Sequence, residues 1–420
     1  MVLVRVLALV ALLAGCRQSL FEAGGGGTQP DAALASTCPS PCVADLGGDF
    51  GKGQSAWRYL EDHRNRAWTA MTAAGDHAVG ADPANTLTSC ALHDAAACSM
   101  LPGAMLASSS GSAASADPAA ELTFATNQVV QLDLGAYVAT GASQTIRLYR
   151  NSREDVLFTT IADAGAVVTH SLTIDALAGD RLLVAVAPTG AGATDVGIQL
   201  FVSAAPASFP STCQLALEFA SDTGTTIHNS CGVELSSVDD ATGAPTAGMV
   251  TGGPFAEQGR AGLLAANDYY QSAGNLDRMS DTTTQLWIKQ TANVAGNPAW
   301  FISDLDLDNG GGLGIDVAQP AMGGSLIEAL TCVTATPLDI EGVSGSYPED
   351  HAWHFVRVVS SGGQLALCLD GQKVQSKPFG PLKTTYPPYI GKNVIWTPAG
   401  AFVDGAVDDV RVITGALPCD

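Results

Sequence analysis

The chain has 420 residues, which is too many for one β-sandwich and comfortable for two domains of ordinary size. Only 14 % of the residues are charged, and the 46 glycines and 21 prolines are typical of many short strands joined by turns. The net charge of −22 argues against nucleic acid and anionic lipid surfaces as partners, because both would be repelled.

The first sixteen residues have the pattern of an export signal. Arg5 precedes an apolar run over 6–13, which is far shorter than the roughly 20 residues of a membrane-spanning helix. The ending Leu-Ala-Gly-Cys16 resembles the bacterial lipobox, in which the Cys thiol is acylated and the chain is cut before it. We therefore expect a lipoprotein signal peptide over 1–16 and lipidation of Cys16. The alternative is an ordinary signal peptide with Cys16 incidental.

The residues after Cys16 bear on the location of the protein. Lipoproteins retained at the inner membrane often carry Asp at the position of Arg17, so the resemblance implies the outer membrane, facing the periplasm or the cell surface. Residues 17–42 contain four consecutive glycines and several prolines, which predict a flexible tether between the lipid anchor and the folded domains.

The chain contains ten cysteines, nine of them after Cys16. An exported chain enters an oxidising compartment, so disulfides are expected, and the odd number leaves at least one cysteine unpaired or joined to another chain. Cys90 and Cys98 close a short loop and are expected to pair. Cys38 and Cys42 are a further candidate pair, although two prolines lie between them.

The remaining cysteines fall in the C-terminal half. Cys332 and Cys368 lie in separate strand-like segments and are candidates for a bridge between them. Cys213 and Cys419 bracket the last domain, while Cys231 competes for either partner. No pair of cysteines has the two-residue gap of a zinc knuckle, so disulfides are favoured over zinc.

Residues 43–205 are predicted to form an N-terminal β-sandwich module. The part up to residue 116 has no regular pattern and is expected to be irregular. Apolar and polar residues alternate over 128–134 and 145–150, which predicts half-buried strands. Further strand-like runs follow at about ten-residue spacing with no helical period between them, as in an antiparallel sandwich. A Trp-x-Tyr at 57–59, Leu-Ala-Gly-Asp-Arg-Leu-Leu-Val over 177–184 and a late Asp195 follow in an order that resembles the jelly-roll modules found beside carbohydrate-active domains.

A short linker over 203–212 leads into a second series of strand-like segments, over 213–420. Within it, 309–312 has the sequence Asn-Gly-Gly-Gly between two apolar segments, and this predicts a hairpin because Asn and Gly accept positive φ.

Several motifs of the C-terminal half occur in an order that carries a family resemblance. They are a strand around Trp287, Trp353-His-Phe-Val-Arg-Val, Leu367-Cys-Leu-Asp-Gly371, Tyr389-Ile-Gly391 and Val403-Asp-Gly-Ala-Val-Asp-Asp-Val-Arg-Val412. This order resembles the laminin-G-like, concanavalin A-like jelly roll. The resemblance implies a two-sheet sandwich that frequently binds glycans or proteins, often with calcium at its rim. The predicted fold class is therefore all-β, with two tandem antiparallel β-sandwiches (jelly rolls), the C-terminal one concanavalin A-like.

An acidic run supplies the candidate metal site. In a strand, alternate residues face the same way, so Asp304, Asp306 and Asp308 are expected on one face, followed by Asn309. Carboxylates and an amide carbonyl are suitable calcium ligands, and a cation would relieve the repulsion between the three charges. The alternative is a solvated acidic face without metal.

The sequence favours binding over catalysis. The glucanases of this fold class carry Glu-x-Asp-x-Glu on one strand, whereas the nearest run here contains Asp only, so no catalytic residue is assigned. Three aromatic residues in turn-rich sequence, Tyr386, Tyr389 and Trp396, are candidate ligand-stacking residues, with loop packing as the alternative.

These observations predict a surface-anchored binding protein. It is expected to recognise a glycan or an extracellular glycoprotein through the C-terminal sandwich, assisted by calcium. Two alternatives stay open: a divergent polysaccharide hydrolase, which would need an acid in the sheet that faces the ligand, and a structural envelope protein.

Overall fold

The computed structural model describes residues 37–419 apart from a set of gaps. These gaps are 51–55, 65–67, 75–76, 92–94, 110–115, 190–193, 207–211, 220–221, 223–225, 240–248, 255–259, 265–267, 292–297, 306–309, 319–323, 336–337, 383–386 and 393–404, together with positions 102, 233, 252 and 381. The signal peptide predicted over 1–16 and most of the tether therefore lie outside the described residues. The described part is almost entirely β-strand and forms two sandwiches.

The first sandwich contains fourteen of the described strands and one short helix. They are β1 (Cys42–Asp45), β2 (Trp57–Asp62), β3 (Trp68–Ala70), β4 (Thr72–Ala74), β5 (His77–Val79), β6 (Thr86–Ser89), α1 (Ala96–Met100), β7 (Met105–Ser109), β8 (Asp117–Thr123), β9 (Gln128–Val138), β10 (Gln144–Arg150), β11 (Val156–Ala162), β12 (Val167–Ala176), β13 (Arg181–Pro188) and β14 (Thr194–Ala204). One antiparallel sheet has the order β12-β9-β14-β7-β6-β5-β4, with β1 paired to β14. The other has the order β11-β10-β13-β8-β2-β3.

The alternation in β9 determines which side chains enter the first core. Val130, Leu132 and Leu134 are buried against the opposite sheet. Between them, Asp133 faces outward and accepts a hydrogen bond from Ser171 Oγ on β12, at 2.6 Å. The predicted strands over 128–134 and 145–150 are thus present. The expectation that 43–116 is irregular is wrong, because β1 to β7 lie there. Most of these strands have only three to five residues, too few for alternation to be visible in the sequence.

The second sandwich contains the other sixteen described strands. They are β15 (Cys213–Leu217), β16 (Thr226–Ile227), β17 (Leu235–Asp239), β18 (Met249–Thr251), β19 (Arg260–Leu264), β20 (Asp268–Gln271), β21 (Thr282–Gln290), β22 (Ala299–Ser303), β23 (Gly311–Ala318), β24 (Leu326–Ala335), β25 (Leu338–Ser346), β26 (His354–Ser361), β27 (Gln364–Leu369), β28 (Gln372–Pro378), β29 (Tyr389–Ile390) and β30 (Gly405–Thr414). β22 and β23 pair antiparallel on either side of the hairpin predicted around 309–312, of which Asn309 lies outside the described residues.

Two sheets enclose the second core. We call the sheet β18-β19-β30-β21-β26-β27-β28, with β15 paired to β30, the back sheet, and the sheet β16-β17-β20-β29-β22-β23-β24-β25 the front sheet. Their inner faces supply a single large apolar cluster that includes Leu286, Val356 and Leu367 from the back sheet and Phe301 and Ile315 from the front sheet. The predicted fold class, two antiparallel β-sandwiches, is confirmed.

A bulge in β30 places two acids on the outer face of the back sheet. Val407 and Val410 both enter the core although they are three residues apart, and the register between β30 and β21 shifts at this point. Asp409 has φ of 44°, in the left-handed region, as expected for the extra residue of a bulge. Asp408 lies opposite Trp287, whose ring packs against Phe355 outside the main core.

The first sandwich covers part of this outer face. Arg411 of β30 donates two hydrogen bonds to the carboxylate of Asp180, at 2.9 and 2.6 Å, and Asp180 lies in the turn before β13. Both side chains are almost fully buried. A paired guanidinium and carboxylate with this geometry satisfy each other, which makes their burial between two domains tolerable.

A second contact lies beside the first. Arg357 of β26 pairs with Asp155, which precedes β11 in the first sandwich, and donates to the main-chain oxygen of Val156 at 3.0 Å. Gln285 of β21 bridges the pair, accepting from Arg357 Nη2 at 3.1 Å and donating to Asp155 Oδ2 at 3.1 Å. Arg150 also binds Asp155, at 2.8 Å. Two arginines of the back sheet, Arg357 and Arg411, therefore find carboxylate partners in the first sandwich.

The C-terminal tail strengthens this contact. Leu417 packs against the core of the first sandwich, and Pro418 O accepts a hydrogen bond from Arg357. A disulfide between Cys368 and Cys419 ties the end of the tail to β27. The last residues of the chain thus belong physically to both sandwiches.

The described cysteines form four disulfides, which are typical of an exported protein. They are Cys38–Cys42, Cys90–Cys98, Cys213–Cys231 and Cys368–Cys419. The pair expected between Cys90 and Cys98 is present, and Cys213 pairs with its nearer candidate.

The bridge expected between Cys332 and Cys368 is wrong. Cys332 is buried in β24 of the front sheet and takes no part in these four disulfides. Leu365 and Leu367 of β27 face the core. Because strand residues alternate, Cys368 points away from the front sheet, and it pairs with Cys419. Across the described part of the chain, no helix is both long and apolar enough to cross a membrane.

Candidate functional site

The outer face of the front sheet carries aromatic and polar side chains at its centre. Tyr270 of β20 and Ile390 of β29 enter the core. Because strand residues alternate, Tyr269 and Gln271 on either side of Tyr270 must face outward, and so must Tyr389. This face lies on the side of the sandwich away from the contacts with the first sandwich.

These three outward residues, Tyr269, Gln271 and Tyr389, together with Lys392 just after β29, form what we call the tyrosine patch, in which Tyr269 and Lys392 are largely buried. The rings of Tyr269 and Tyr389 have centroids 5.5 Å apart, and Gln271 Nε2 donates to Tyr389 Oη at 2.9 Å. Lys392 Nζ lies 4.6 Å from the centroid of the Tyr269 ring, a cation–π contact. Tyr389 remains partly exposed, and burial of its other side raises the pKa of its phenol.

The composition of the tyrosine patch suits a ligand with both apolar and hydroxylated surfaces. An aromatic ring has a negative face, which attracts the positively polarised C–H bonds on one side of a sugar ring. Amide, phenol and ammonium groups around the rings supply hydrogen bonds for hydroxyl or carboxylate groups. Rigid rings with polar groups at their edges are a common arrangement in ligand sites.

A pair of carboxyl groups lies on the same face, nearer the other edge of the sheet. Asp316 of β23 is directly opposite Glu328 of β24, and we call these two residues the acid pair. Cβ atoms of such cross-strand neighbours are about 5 Å apart. Burial, and next the charge of Glu328, raise the pKa of Asp316 well above its usual value, and burial raises the pKa of Glu328. The acid pair therefore retains a proton to higher pH than exposed carboxyls do.

Trp300 borders the acid pair. It lies opposite Asp316, and its indole covers Gly314, where an added Cβ would be 2.3 Å from Trp300 Cζ3. Trp300 Nε1 and both carboxyl oxygens of Asp316 are buried, and none has a hydrogen-bond partner among the described residues. An N–H donor beside carboxyl oxygens complements a hydroxyl group, which both accepts and donates.

The expected position of Asp304 on an exposed acidic face is wrong. Asp304 is fully buried, and its two carboxylate oxygens accept from Nε and Nη2 of Arg278, each at 3.0 Å. Leu313 N also donates to Asp304 Oδ1, at 3.1 Å. The attraction of a buried guanidinium, which a strand-alternation argument does not include, holds this carboxylate inside. A calcium ion would have to displace Arg278, so Asp304 is unsuitable as a ligand.

Most of the other predicted site residues fall in gaps. Asp306, Asp308 and Asn309 lie outside the described residues, as do Tyr386 and Trp396 and the lipidation candidate Cys16, so each stays a prediction. Within the described residues, no group of three or more His, Cys, Asp or Glu side chains could hold a metal ion.

Tyr389 is the predicted ligand residue that the structure places in the tyrosine patch. Sequence reasoning missed the rest of the patch and the acid pair. The sequence does contain a signal for Asp316, because this residue is an acid at an interior position of an apolar strand. Tyr269 was hidden by its neighbour Tyr270, because two adjacent tyrosines do not show which one faces the core.

The comparisons with known proteins bear on the second sandwich. Residues 264–419 match the family model Laminin_G_3, described as the concanavalin A-like lectin/glucanases superfamily. The predicted resemblance of the C-terminal half is thus confirmed. A comparison with curated proteins finds no match.

Solved structures with a similar chain trace include two from bacteria. Domain 4 of AbnA, a GH43 extracellular arabinanase from Geobacillus stearothermophilus solved with arabinotriose, has 16% identity and a TM-score of 0.37, over 49% of this chain and 94% of that one. The carbohydrate binding module CBM66 from Bacillus subtilis has 11% identity and a TM-score of 0.27, over 43% of this chain and 95% of that one.

Proposed function

We propose that the protein is an exported, non-catalytic glycan-binding protein, and that the tyrosine patch on the front sheet is its binding site. The observation that carries the proposal is the pairing of Tyr269 and Tyr389, outward on a sheet face and bordered by Gln271 and Lys392. The match to a superfamily that contains lectins supports the same ligand class. The back sheet is a poorer candidate, because its outward arginines Arg357 and Arg411 are paired with the first sandwich.

A glycan array probed with the full mature chain tests this proposal. Replacement of Tyr389 by Ala should weaken binding about tenfold or more, because it removes the exposed ring of the patch. Tyr137→Ala is a matched control, since Tyr137 lies on an outward strand position of the first sandwich. Equal affinity of the Tyr389 variant and the wild type would refute the assignment of the site, and silence of the wild type across the array would refute the function.

The calcium-assisted form of the proposal rests on Asp306, Asp308 and Asn309, with Asp304 withdrawn from the ligand set. Repeating the array in chelator should reduce binding if these residues hold calcium near the front sheet. Unchanged binding in chelator, with the wild type active in both buffers, would remove calcium while leaving the glycan-binding proposal intact.

We further propose that Cys16 is acylated and anchors the protein in the outer membrane. The lipobox-like ending at Cys16 supports this, and the four disulfides support export. Cys16→Ser should release the protein from the membrane fraction. Retention of that variant in the membrane would contradict the anchor.

A second candidate function is hydrolysis of a polysaccharide, which the acid pair favours. Glycosidases use two carboxyls about 5–9 Å apart, one of them an acid with raised pKa, and direct neighbours on adjacent strands fall in that range. Reducing-sugar release on a panel of polysaccharides tests this. Activity that disappears in both Asp316→Asn and Glu328→Gln would establish the hydrolase, whereas no release by the wild type would leave binding alone.

A further inference from the structure

The contact between the two sandwiches contains more acids than bases. Among the described residues it holds three guanidinium groups and five carboxyl groups: Arg150, Arg357 and Arg411, with Asp155, Asp180, Glu218, Asp408 and Asp409. All are nearly inaccessible to solvent except Glu218, whose side chain is 34% exposed. We call this set the interdomain charge cluster.

Three of the five carboxylates are well matched by the three arginines. Asp155 binds Arg150 and Arg357, and Asp180 receives both Nη atoms of Arg411. Asp409 Oδ1 accepts from Arg411 Nε at 2.5 Å. Three positive charges therefore face three negative ones, which makes their burial tolerable, although Asp409 Oδ2 is buried without a partner among the described residues.

Asp408 and Glu218 are left over. Asp408 Oδ1 accepts only from the adjacent main-chain nitrogen of Asp409 at 2.9 Å, and its Oδ2 is buried with no partner among the described residues. Glu218 follows β15 and reaches Arg411 Nη2 at 3.4 Å, on a guanidinium already shared by two other carboxylates. A buried carboxylate without its own counter-charge is costly, and protonation removes the cost.

The titration of the two leftover groups agrees with this geometry. Burial, and next the charge of Asp409, raise the pKa of Asp408 to about 9. Burial also raises the pKa of Glu218 to about 7, against the opposing attraction of Arg411. Two of the matched acids behave differently: although burial opposes it, the arginines lower the pKa of Asp155 and bring that of Asp180 to about 2. For Asp409, burial outweighs the attraction of Arg411 and raises the pKa.

We propose that the joint between the two sandwiches is proton-dependent: Asp408 and Glu218 are protonated when the sandwiches are docked, and their ionisation weakens the docking. The joint also includes Leu417, seated against the first core, so the two sandwiches unfold as one unit while the joint is closed. This inference is independent of which ligand the front sheet binds.

The sign of the pH effect follows from the raised pKa values. A carboxyl with a raised pKa in the folded state contributes stability that is complete below its ordinary pKa, near 4, and is lost as pH rises. The loss extends to about pH 7 for Glu218 and to about pH 9 for Asp408. Asp180 and Asp155 act in the opposite sense, but only below about pH 4. Docking should therefore be most stable at mildly acidic pH.

Calorimetry and small-angle X-ray scattering of the full mature chain, at about pH 4.5, 7 and 9, test the proposal. The wild type should show one unfolding transition at pH 4.5, a falling midpoint toward pH 9, and a larger radius of gyration at pH 9. Asp408→Asn and Glu218→Gln keep the shape of the protonated acid, so each should raise the midpoint at pH 9 by about 2 °C or more and change it little at pH 4.5.

Glu341→Gln is the control, because Glu341 is a half-exposed acid paired with Lys377 at the edge of the second sandwich. Its profile should run parallel to that of the wild type. Two separate unfolding transitions of the wild type at pH 4.5 would contradict the proposal that the two docked sandwiches unfold as one unit. A wild-type unfolding midpoint that rises from pH 4.5 to 9 would contradict the proposal that Asp408 and Glu218 are protonated in the docked state. Variant profiles parallel to that of the wild type would contradict it as well.

Discussion

The two sheets of the second sandwich use their outer faces in different ways. The outer face of the back sheet presents Arg357, Arg411 and Gln285, which are buried against carboxylates of the first sandwich. The outer face of the front sheet presents tyrosines and the acid pair, and Tyr389 there stays partly exposed. Both faces come from the same alternation of strands, so alternation alone does not distinguish a joint from a binding site.

What distinguishes the two faces is what their polar groups meet. On the back sheet, Arg357 and Arg411 each bind a carboxylate of the first sandwich, and Arg411 also binds two carboxylates of its own sandwich. On the front sheet, the carboxyl oxygens of Asp316 and the indole nitrogen of Trp300 lack partners among the described residues. Asp408 and Asp409 of the back sheet also have a buried carboxyl oxygen without a partner among the described residues, so the two faces differ in the side on which such atoms lie. Those of the back sheet lie on the side of the first sandwich, and those of the front sheet lie on the opposite side.

Breaking the joint should have the largest effect on stability. Arg411→Met leaves Asp180 and Asp409 buried without their counter-charge, so the free energy of unfolding should fall by about 3–5 kcal/mol. Urea-induced unfolding measures this. Arg411→Met combined with Asp180→Asn should recover part of the loss, because one orphaned charge is then removed. A loss below about 1 kcal/mol in the single variant would show that the pair is solvated and the joint open.

Releasing the tail should have the next largest effect. The disulfide between Cys368 and Cys419 closes 51 residues and holds Leu417 on the first core. Replacing both cysteines by Ala should lower the free energy of unfolding by about 2–4 kcal/mol. The same replacement at Cys90 and Cys98, which are eight residues apart, is the control and should cost roughly 1–2 kcal/mol less by loop length alone. Equal losses of unfolding free energy in the two double variants would show that holding the tail by the Cys368–Cys419 disulfide adds nothing to the joint.

Much of the scaffold could be predicted from local sequence. Alternation located the long strands, and the ordered motifs from Trp287 to Val412 identified the fold of the second sandwich. The short strands over 43–116 were missed, because three or four residues carry no periodic signal. Tyr389 was predicted as a ligand residue because it lies in turn-rich sequence next to two prolines, and that role stays a prediction.

The joint could not be predicted, because it pairs residues that are far apart in sequence. Arg411 and Asp180 are separated by 231 positions, and Arg357 and Asp155 by 202. Alternation shows that Arg357 faces away from the core, and the simplest expectation is then a solvated side chain. The predicted exposure of Asp304 was wrong for the same reason, because its partner Arg278 lies 26 positions earlier in the sequence. Whether a charged side chain can be buried depends on its partner, and that partner is known only from the tertiary structure.

The smallest expected effect concerns the acid pair on the front sheet. Asp316→Asn replaces an acid whose pKa is raised well above its usual value, chiefly by burial. In the wild type, the unfolded chain releases this proton above about pH 4 while the folded chain retains it, so stability falls with rising pH. The Asn variant lacks this dependence and should become more stable relative to the wild type as pH increases from 4 to 8, with nearly equal stability at pH 4.

Urea-induced unfolding at several pH values measures this difference, and Asp163→Asn, the same exchange at an exposed position of the first sandwich, is the control. A constant offset between Asp316→Asn and the wild type would mean that Asp316 is ionised in the folded protein. A cation or a hidden donor would then have to be present at the acid pair, and the front sheet would resemble the back sheet in having its charges already satisfied. A growing difference would instead show that Asp316 is neutral in the folded protein, which is the form that can donate a hydrogen bond to a sugar hydroxyl.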